Sequence, residues 1–221
     1  MGDLQRAEHR GVLEPPDPTG YAHLLRGAYA AVKEVDPSAT VVVGGLAAAG
    51  TYESDPVRNP VRFVEAMYLA GAQGSFDAIG IHPGGNTLPS TVSIPTTWYQ
   101  LHGDALDGGM VGDPPTPSLR RLMIDHGDED KEIWLTHFGR TTVGTGSIDE
   151  AAQALTVRDA YFTWSTYPWA GPLFWFAYRD EGGDTTQSYL WFGLVHQDRT
   201  HKPAWDAYSE LARATRAWRS P

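Results

Sequence analysis

The stretch KEIWLTHFGR, residues 131–140, is typical of a short strand that ends in side chains able to carry out chemistry. Its apolar run, 133–135, is too short for a helix and suits a strand buried on both faces. His137, Gly139 and Arg140 follow directly. Since α/β folds place their sites at the carboxyl ends of strands, we expect this end to face a functional edge of a sheet.

Three further segments have the length and the β-branched or aromatic content of buried strands. They cover residues 41–47, 76–85 and 171–180. Helical spacing of apolar residues separates them and predicts helices over about 19–35, 61–71, 116–126, 148–166 and 203–218. This alternation of strands and helices predicts an α/β fold with a parallel sheet and crossover helices.

Two of the predicted helices carry a start signal. Thr19 stands where an N-cap would lie for the first helix. Ser147 and Glu150 have the spacing of a capping box and predict a helix from residue 148 onward. Residues 1–17 are polar and proline-rich, so we expect an irregular N-terminal arm there.

Composition narrows the classes of function. The 221 residues carry a formal net charge of −10, and an acidic chain repels phosphate backbones, so nucleic acid is not an expected partner. There is no cysteine, which excludes disulfides and thiolate chemistry. No apolar run approaches the length of a membrane span and no signal peptide is visible, so we expect no membrane contact and leave the compartment open.

Histidines, arginines and a tyrosine gather at the predicted carboxyl ends of the strands, where α/β sheets place their sites. They are His82, His137, Arg140, Tyr178 and Arg179. A metal site built from His82, His137 and His196 is one alternative, but their spacing matches no local metal motif. Nucleotide-binding and nucleophile-elbow motifs are also missing, so we expect no metal and no cofactor.

The order of the segments resembles the C-terminal half of the clan-A glycoside hydrolases, the (β/α)8 barrels of cellulase and β-xylosidase type. The resemblance is carried by YAHLLRGAYAAVKEVDPSATVVVGGLA, FDAIGIHP, EIWLTHFGRTT, GPLFWFAYRD and FGLVHQDRTHKPAW. It implies a partial TIM barrel of about four βα units, corresponding to strands five to eight with a preceding helix. We expect residues 1–221 to form one such incomplete domain.

The resemblance also implies two catalytic positions, and both differ here. Members of the group carry a nucleophile in a Thr-Glu-Phe-Gly motif, where this chain reads Thr-His-Phe-Gly with His137 in place of glutamate. Their acid/base glutamate lies in an Asn-Glu-Pro motif, and Arg6 stands at that position. Retaining hydrolysis needs two carboxyls about 5–5.5 Å apart. We therefore expect a glycoside-hydrolase homologue with a degenerate catalytic pair and residual carbohydrate binding.

Two other interpretations stay open. In the first, the chain is an active β-glycosidase that uses a carboxylate outside the motifs, with Glu8, Glu14, Asp180 and Glu181 as the candidates. In the second, it is a non-enzymatic assembly module. Four strands leave two unpaired sheet edges. We therefore expect either that the chain is a fragment of a longer reading frame or that it pairs with another chain. That partner would be a second copy in a homo-oligomer or a complementing N-terminal half-barrel.

The resemblance implies a carbohydrate ligand and suggests how it is held. His82 corresponds to a histidine that lines the cleft, and Trp175 to an aromatic platform under the sugar ring. Tyr178 lies at the same strand end, and Trp98 lies in the long loop 86–114, where it is placed to wall a cleft. We predict that Arg140, Arg179 and Asp180 form a solvated charge network instead of catalytic groups.

Overall fold

The computed structural model describes residues 16–47, 59–83, 110–111 and 116–218. Its helices are α1 (Pro18–Val35), α2 (Pro60–Leu69), α3 (Leu119–Asp125), α4 (Glu150–Ser165) and α5 (Pro203–Trp218). Its strands are β1 (Val42–Ala47), β2 (Ala78–His82), β3 (Met110–Val111), β4 (Thr116–Pro117), β5 (Glu132–Phe138) and β6 (Ala170–Trp175). A 3-10 helix covers Ser188–Trp191. The predicted alternation of strands and helices is confirmed.

Four of the strands form one parallel sheet in the order β1-β2-β5-β6. Helices lie between successive strands of this sheet, so the predicted α/β fold of four βα units, matching part of a TIM barrel, is confirmed. Strands β3 and β4 form a separate antiparallel pair that the sequence did not indicate. Among the described residues, no strand pairs with the outer edge of β1 or of β6.

The predicted helix starts were wrong in detail, because aspartates and a different serine supply the caps. The Asp17 carboxylate accepts a hydrogen bond from the Gly20 amide at 2.9 Å, so Thr19 lies inside α1. The Asp149 carboxylate accepts from the Ala152 amide at 2.7 Å, which replaces the capping box of Ser147 and Glu150. Helix α3 begins only at Leu119, after the capping residue Ser118.

The main core lies between the sheet and its helices. Alternate residues of the central strands point into it and are fully buried; they are Ile79, Ile81, Ile133 and Leu135. Because successive side chains of a strand point to opposite faces, the residues between them lie on the face away from the helices. We call this second side the open face. Alternation places His82, Trp134, Phe174 and Phe176 on it, and His137 joins them through its ring contacts with His82 and Phe176.

Helices α4 and α5 pack against each other over a smaller cluster that includes Val157, Ala204 and Ala207. None of the helices in the described part of the chain combines the length and the apolar character needed to span a bilayer.

Candidate functional site

A bulge in β5 places His137 on the open face. Leu135 pairs with Leu173, while Phe138 pairs with Trp175, so β5 uses one residue more than β6 over this interval. Both Leu135 and Phe138 consequently belong to the core cluster, although they are three residues apart. The extra residue turns the His137 side chain away from the core, toward the carboxyl end of the neighbouring strand.

His82, the last residue of β2, meets His137 there. The centroids of the two imidazole rings are 5.0 Å apart and the ring planes are tilted by 41°. A side chain on Gly45 of β1 would exclude this arrangement, since its Cβ would lie 1.9 Å from His82 Nε2. The sequence therefore needs glycine at position 45 so that the His82 ring can lie over the neighbouring strand.

Aromatic rings complete the open face around the two histidines. The ring of Phe176 stacks on His137 with a centroid distance of 4.0 Å and an angle of 20°. Further along the same face, the ring centroids of Trp134 and Phe174 are 6.1 Å apart. Phe174 is 49% exposed. Gly171 makes room for the Trp134 ring, because a Cβ at that position would come within 2.1 Å of the indole. The result is a largely aromatic surface with two imidazoles at one end.

Burial keeps the His137 imidazole neutral. Its pKa is lowered to about 4, first because the ring is withdrawn from water and second because the charge of His82 disfavours a second proton. Neither of these two causes is a carboxylate. At neutral pH the group at the predicted nucleophile position is thus an uncharged, weakly basic imidazole beside a second histidine.

Trp175 and Tyr178, two of the predicted binding residues, lie elsewhere. The Trp175 indole packs edge-on against the Phe138 ring, with 5.9 Å between the ring centroids. Its N–H donates to the Phe192 carbonyl at 3.1 Å. These contacts and its packing against the main core place Trp175 on the helix side of the sheet. Tyr178 is 59% exposed and contacts Trp205 of α5 at 5.9 Å. Their roles in ligand binding stay predictions, and the placement of Trp175 favours packing.

The predicted solvated charge network was wrong for Arg140 and Asp180, which are 7% and 1% exposed. The Asp180 carboxylate lies 2.7 Å from the ammonium of Lys202 and accepts the Gly193 amide at 2.7 Å. Burial lowers the pKa of Arg140, whose guanidinium donates to the Gly146 carbonyl at 3.5 Å. Only Arg179 is exposed. Because Asp180 is held in this ion pair, it is a poor candidate for the alternative catalytic carboxylate.

The remaining predicted groups are dispersed. His196 lies 3.5 Å from Glu150 at the start of α4, and Glu181 is exposed. Arg6, Glu8, Glu14 and Trp98 lie outside the described residues. Within the described ranges, no group of three or more histidine, aspartate or glutamate side chains is arranged to hold a metal ion.

Sequence reasoning missed Phe174 and Phe176. Once Leu173 is known to face the core, the alternation of a strand places both phenylalanines on the open face. The signal was therefore present in LFWF, residues 173–176, but the family resemblance directed attention to the tryptophan between them.

Solved structures share this fold at low sequence identity. A family 39 glycoside hydrolase from Bacteroides cellulosilyticus WH2 is 22% identical with a TM-score of 0.64, over 89% of this chain and 38% of that one. A monomeric beta-xylosidase from Caulobacter crescentus CB15 is 16% identical with a TM-score of 0.50, over 89% and 38%. An exo-beta-agarase is 14% identical with a TM-score of 0.53, over 86% and 21%.

The chain thus spans well under half the length of each of these proteins. No protein-family model matches the sequence, and no curated protein matches it either. The described part of the chain has the fold of part of a (β/α)8 barrel, represented by four parallel strands, and it shares this fold with the glycoside hydrolase and the beta-xylosidase named above.

Proposed function

We propose that this chain is a carbohydrate-binding homologue of the glycoside hydrolases whose catalytic pair is degenerate. The observation that carries the proposal is the position of His137. It lies at the carboxyl end of β5 on the open face, between a second histidine and the ring of Phe176. In the resemblance drawn from the sequence, this position belongs to the nucleophilic glutamate.

Chemistry explains the expected loss of hydrolysis. Cleavage of a glycosidic bond passes through an oxocarbenium-like transition state that a nearby carboxylate stabilises. An imidazole whose pKa is about 4 is neutral at pH 7 and supplies no negative charge. A protonated imidazole would oppose the positive charge of the sugar. Neither protonation state of His137 replaces the carboxylate.

The same face retains features that suit a sugar. Aromatic rings present flat apolar surfaces to the C–H faces of a pyranose, and Phe176 and Phe174 offer such rings on the open face. The ring nitrogens of His82 and His137 can donate to and accept from hydroxyl groups. We therefore place the ligand across Phe176 and the two imidazoles.

The first experiment measures release of nitrophenol from β-glucoside, β-xyloside and related aryl glycosides. We expect no turnover above the buffer rate, and no recovery of full activity in His137→Glu, because the acid/base position is also replaced. Turnover that disappears in His137→Ala would refute a dead site. Turnover that survives His137→Ala and disappears in Glu181→Gln would instead favour the active β-glycosidase that uses another carboxylate.

The second experiment measures binding by tryptophan fluorescence during titration with oligosaccharides. Trp134 on the open face is the reporter, and Phe176→Leu removes the aromatic ring while keeping an apolar side chain. We expect Phe176→Leu to lose most of the fluorescence change, while Trp175→Phe retains it. If Trp175→Phe instead loses the fluorescence change while Phe176→Leu retains it, the sugar lies on the helix side of β6. If neither the original chain nor any variant changes its fluorescence during the titration, carbohydrate binding is refuted.

A second candidate function, an assembly module, is favoured by unpaired surfaces at the β1 side of the sheet. In α1, Leu24 and Val35 are 55% and 88% exposed, and β1 has no partner on its outer edge among the described residues. A partner that adds a parallel strand and an amphipathic helix would cover both surfaces. The complementing half of a barrel has this form.

Light scattering after size-exclusion chromatography tests the assembly. We expect a dimer or a larger species, or recovery of a soluble complex when the complementing half-barrel is added. A monodisperse species near 24.2 kDa that melts cooperatively would contradict this second function.

A further inference from the structure

We propose that His82 and His137 together bind one divalent transition-metal ion, such as Zn²⁺, Ni²⁺ or Cu²⁺, on the open face of the sheet. This inference goes beyond carbohydrate binding and does not depend on it. It starts from the geometry of two imidazoles that are brought together from different strands and are 55 positions apart in the chain.

The separation of the rings matches that of two imidazoles on one metal. A zinc–nitrogen bond of about 2.0–2.1 Å puts the ion about 3.2 Å from the centre of each ring. At a tetrahedral angle the two ring centres are then about 5.2 Å apart. The observed distance between the His82 and His137 centroids is 5.0 Å. The spacing of the ring centres therefore leaves room for one ion between the two imidazoles, once a ring nitrogen of each turns toward the other.

The surrounding residues hold the pair in place. His82 and His137 lie at the ends of the paired strands β2 and β5, which are rigid elements of the sheet. The Phe176 ring supports His137 from one side, and the backbone of Gly45 lies under His82. Because neighbouring groups already restrict both rings, metal binding has less side-chain freedom to remove.

The ligand chemistry defines the class of ion. Imidazole suits zinc, copper and nickel, whereas Mg²⁺ and Ca²⁺ prefer oxygen ligands. No third protein ligand of the histidine or carboxylate kind is arranged at the pair within the described ranges. Water or a small ligand would fill the remaining positions, as in metal sites that keep open coordination positions.

Calorimetric titration with Zn²⁺ at pH 7.5, in a buffer that does not coordinate metals, tests the proposal. Electron paramagnetic resonance of the Cu²⁺ form reports the number of nitrogen ligands. We expect one saturable site with two nitrogen couplings, and loss of that site in both His82→Gln and His137→Gln. The exposed His23 of α1 provides the control, and His23→Gln is expected to keep the site.

A glycine pair separates loss of geometry from loss of a ligand. Gly45→Ala retains both imidazoles but displaces the Nε2 end of the His82 ring, so we expect an altered Zn²⁺ affinity. Gly27→Ala meets no atom within 4 Å and is expected to bind as the original chain does. Zn²⁺ binding that survives either histidine substitution, or that is equally strong in Gly45→Ala, would overturn the shared site. Circular dichroism confirms that each variant is folded.

Discussion

Replacing Lys202 by methionine is expected to destabilise the protein strongly, because it breaks a buried ion pair. Lys202 and Asp180 are each 1% exposed, and Nζ lies 2.7 Å from Oδ2. The same ammonium donates to Thr142 Oγ1 at 2.9 Å. These contacts join the segments that follow β5 and β6 to the start of α5.

The magnitude follows from what the substitution leaves behind. Methionine fills the space of the lysine stem but carries no positive charge. Of the two contacts described for the Asp180 carboxylate, only the hydrogen bond from the Gly193 amide is then left. Removing one partner of a buried pair costs about 3–5 kcal/mol, chiefly because an uncompensated charge stays buried. For a chain of this size, that loss lowers the melting temperature by about 6–20 °C.

Urea unfolding followed by far-ultraviolet circular dichroism measures the free energy of unfolding of Lys202→Met. The matched control is Arg158→Ala, which breaks the exposed pair with Glu210, whose side chains are 45% and 62% exposed. Such a surface pair contributes about 0–1 kcal/mol. The double variant Lys202→Met with Asp180→Asn removes the uncompensated charge and is expected to recover much of the loss.

The reasoning fails if Lys202→Met loses no more free energy of unfolding than Arg158→Ala does. It also fails if the double variant is as unstable as the single one, since the cost would then come from packing instead of the stranded carboxylate.

Two further outcomes concern the open face. Gly139→Ala would bring a Cβ to 2.1 Å from the Phe176 carbonyl oxygen, so we expect the free energy of unfolding in urea to fall by about 1–3 kcal/mol. Its control, Gly27→Ala, meets no atom within 4 Å and is expected to lose no stability. Because the folded pKa of His137, about 4, is below the unfolded value, stability is complete above about pH 6.5 and falls as the pH drops toward 4. Histidine resonances recorded by nuclear magnetic resonance between pH 3 and 8 check this, and a midpoint near 6.5 for His137 would contradict it.

Local patterns in the sequence were enough to predict the architecture. Apolar runs of strand length, alternating with helical spacing, indicated four parallel βα units, and the sheet has that order. The same patterns placed His82 and His137 at the carboxyl ends of two strands. Both results depend on neighbouring residues alone, because backbone geometry imposes periods of 2 and 3.6 residues on buried positions.

Local sequence patterns could not predict which face of the sheet each residue near the strand ends occupies. The bulge in β5 shifts the alternation by one residue, and it exists only through the pairing of β5 with β6. Without it, His137 would point toward the core. The resemblance likewise indicated Trp175 as the platform, whereas the facing of Leu173 toward the core places Phe174 and Phe176 on the open face.

The charged groups show the same division. Asp180 was predicted to be solvated, since charged side chains are seldom fully buried, but it is buried together with Lys202. Their burial depends on a contact across 22 residues and on Thr142, which is 60 residues from Lys202. Local propensity therefore set the order of strands and helices, whereas register, the bulge and long-range partners decided which side chains meet on the open face and which charges are buried.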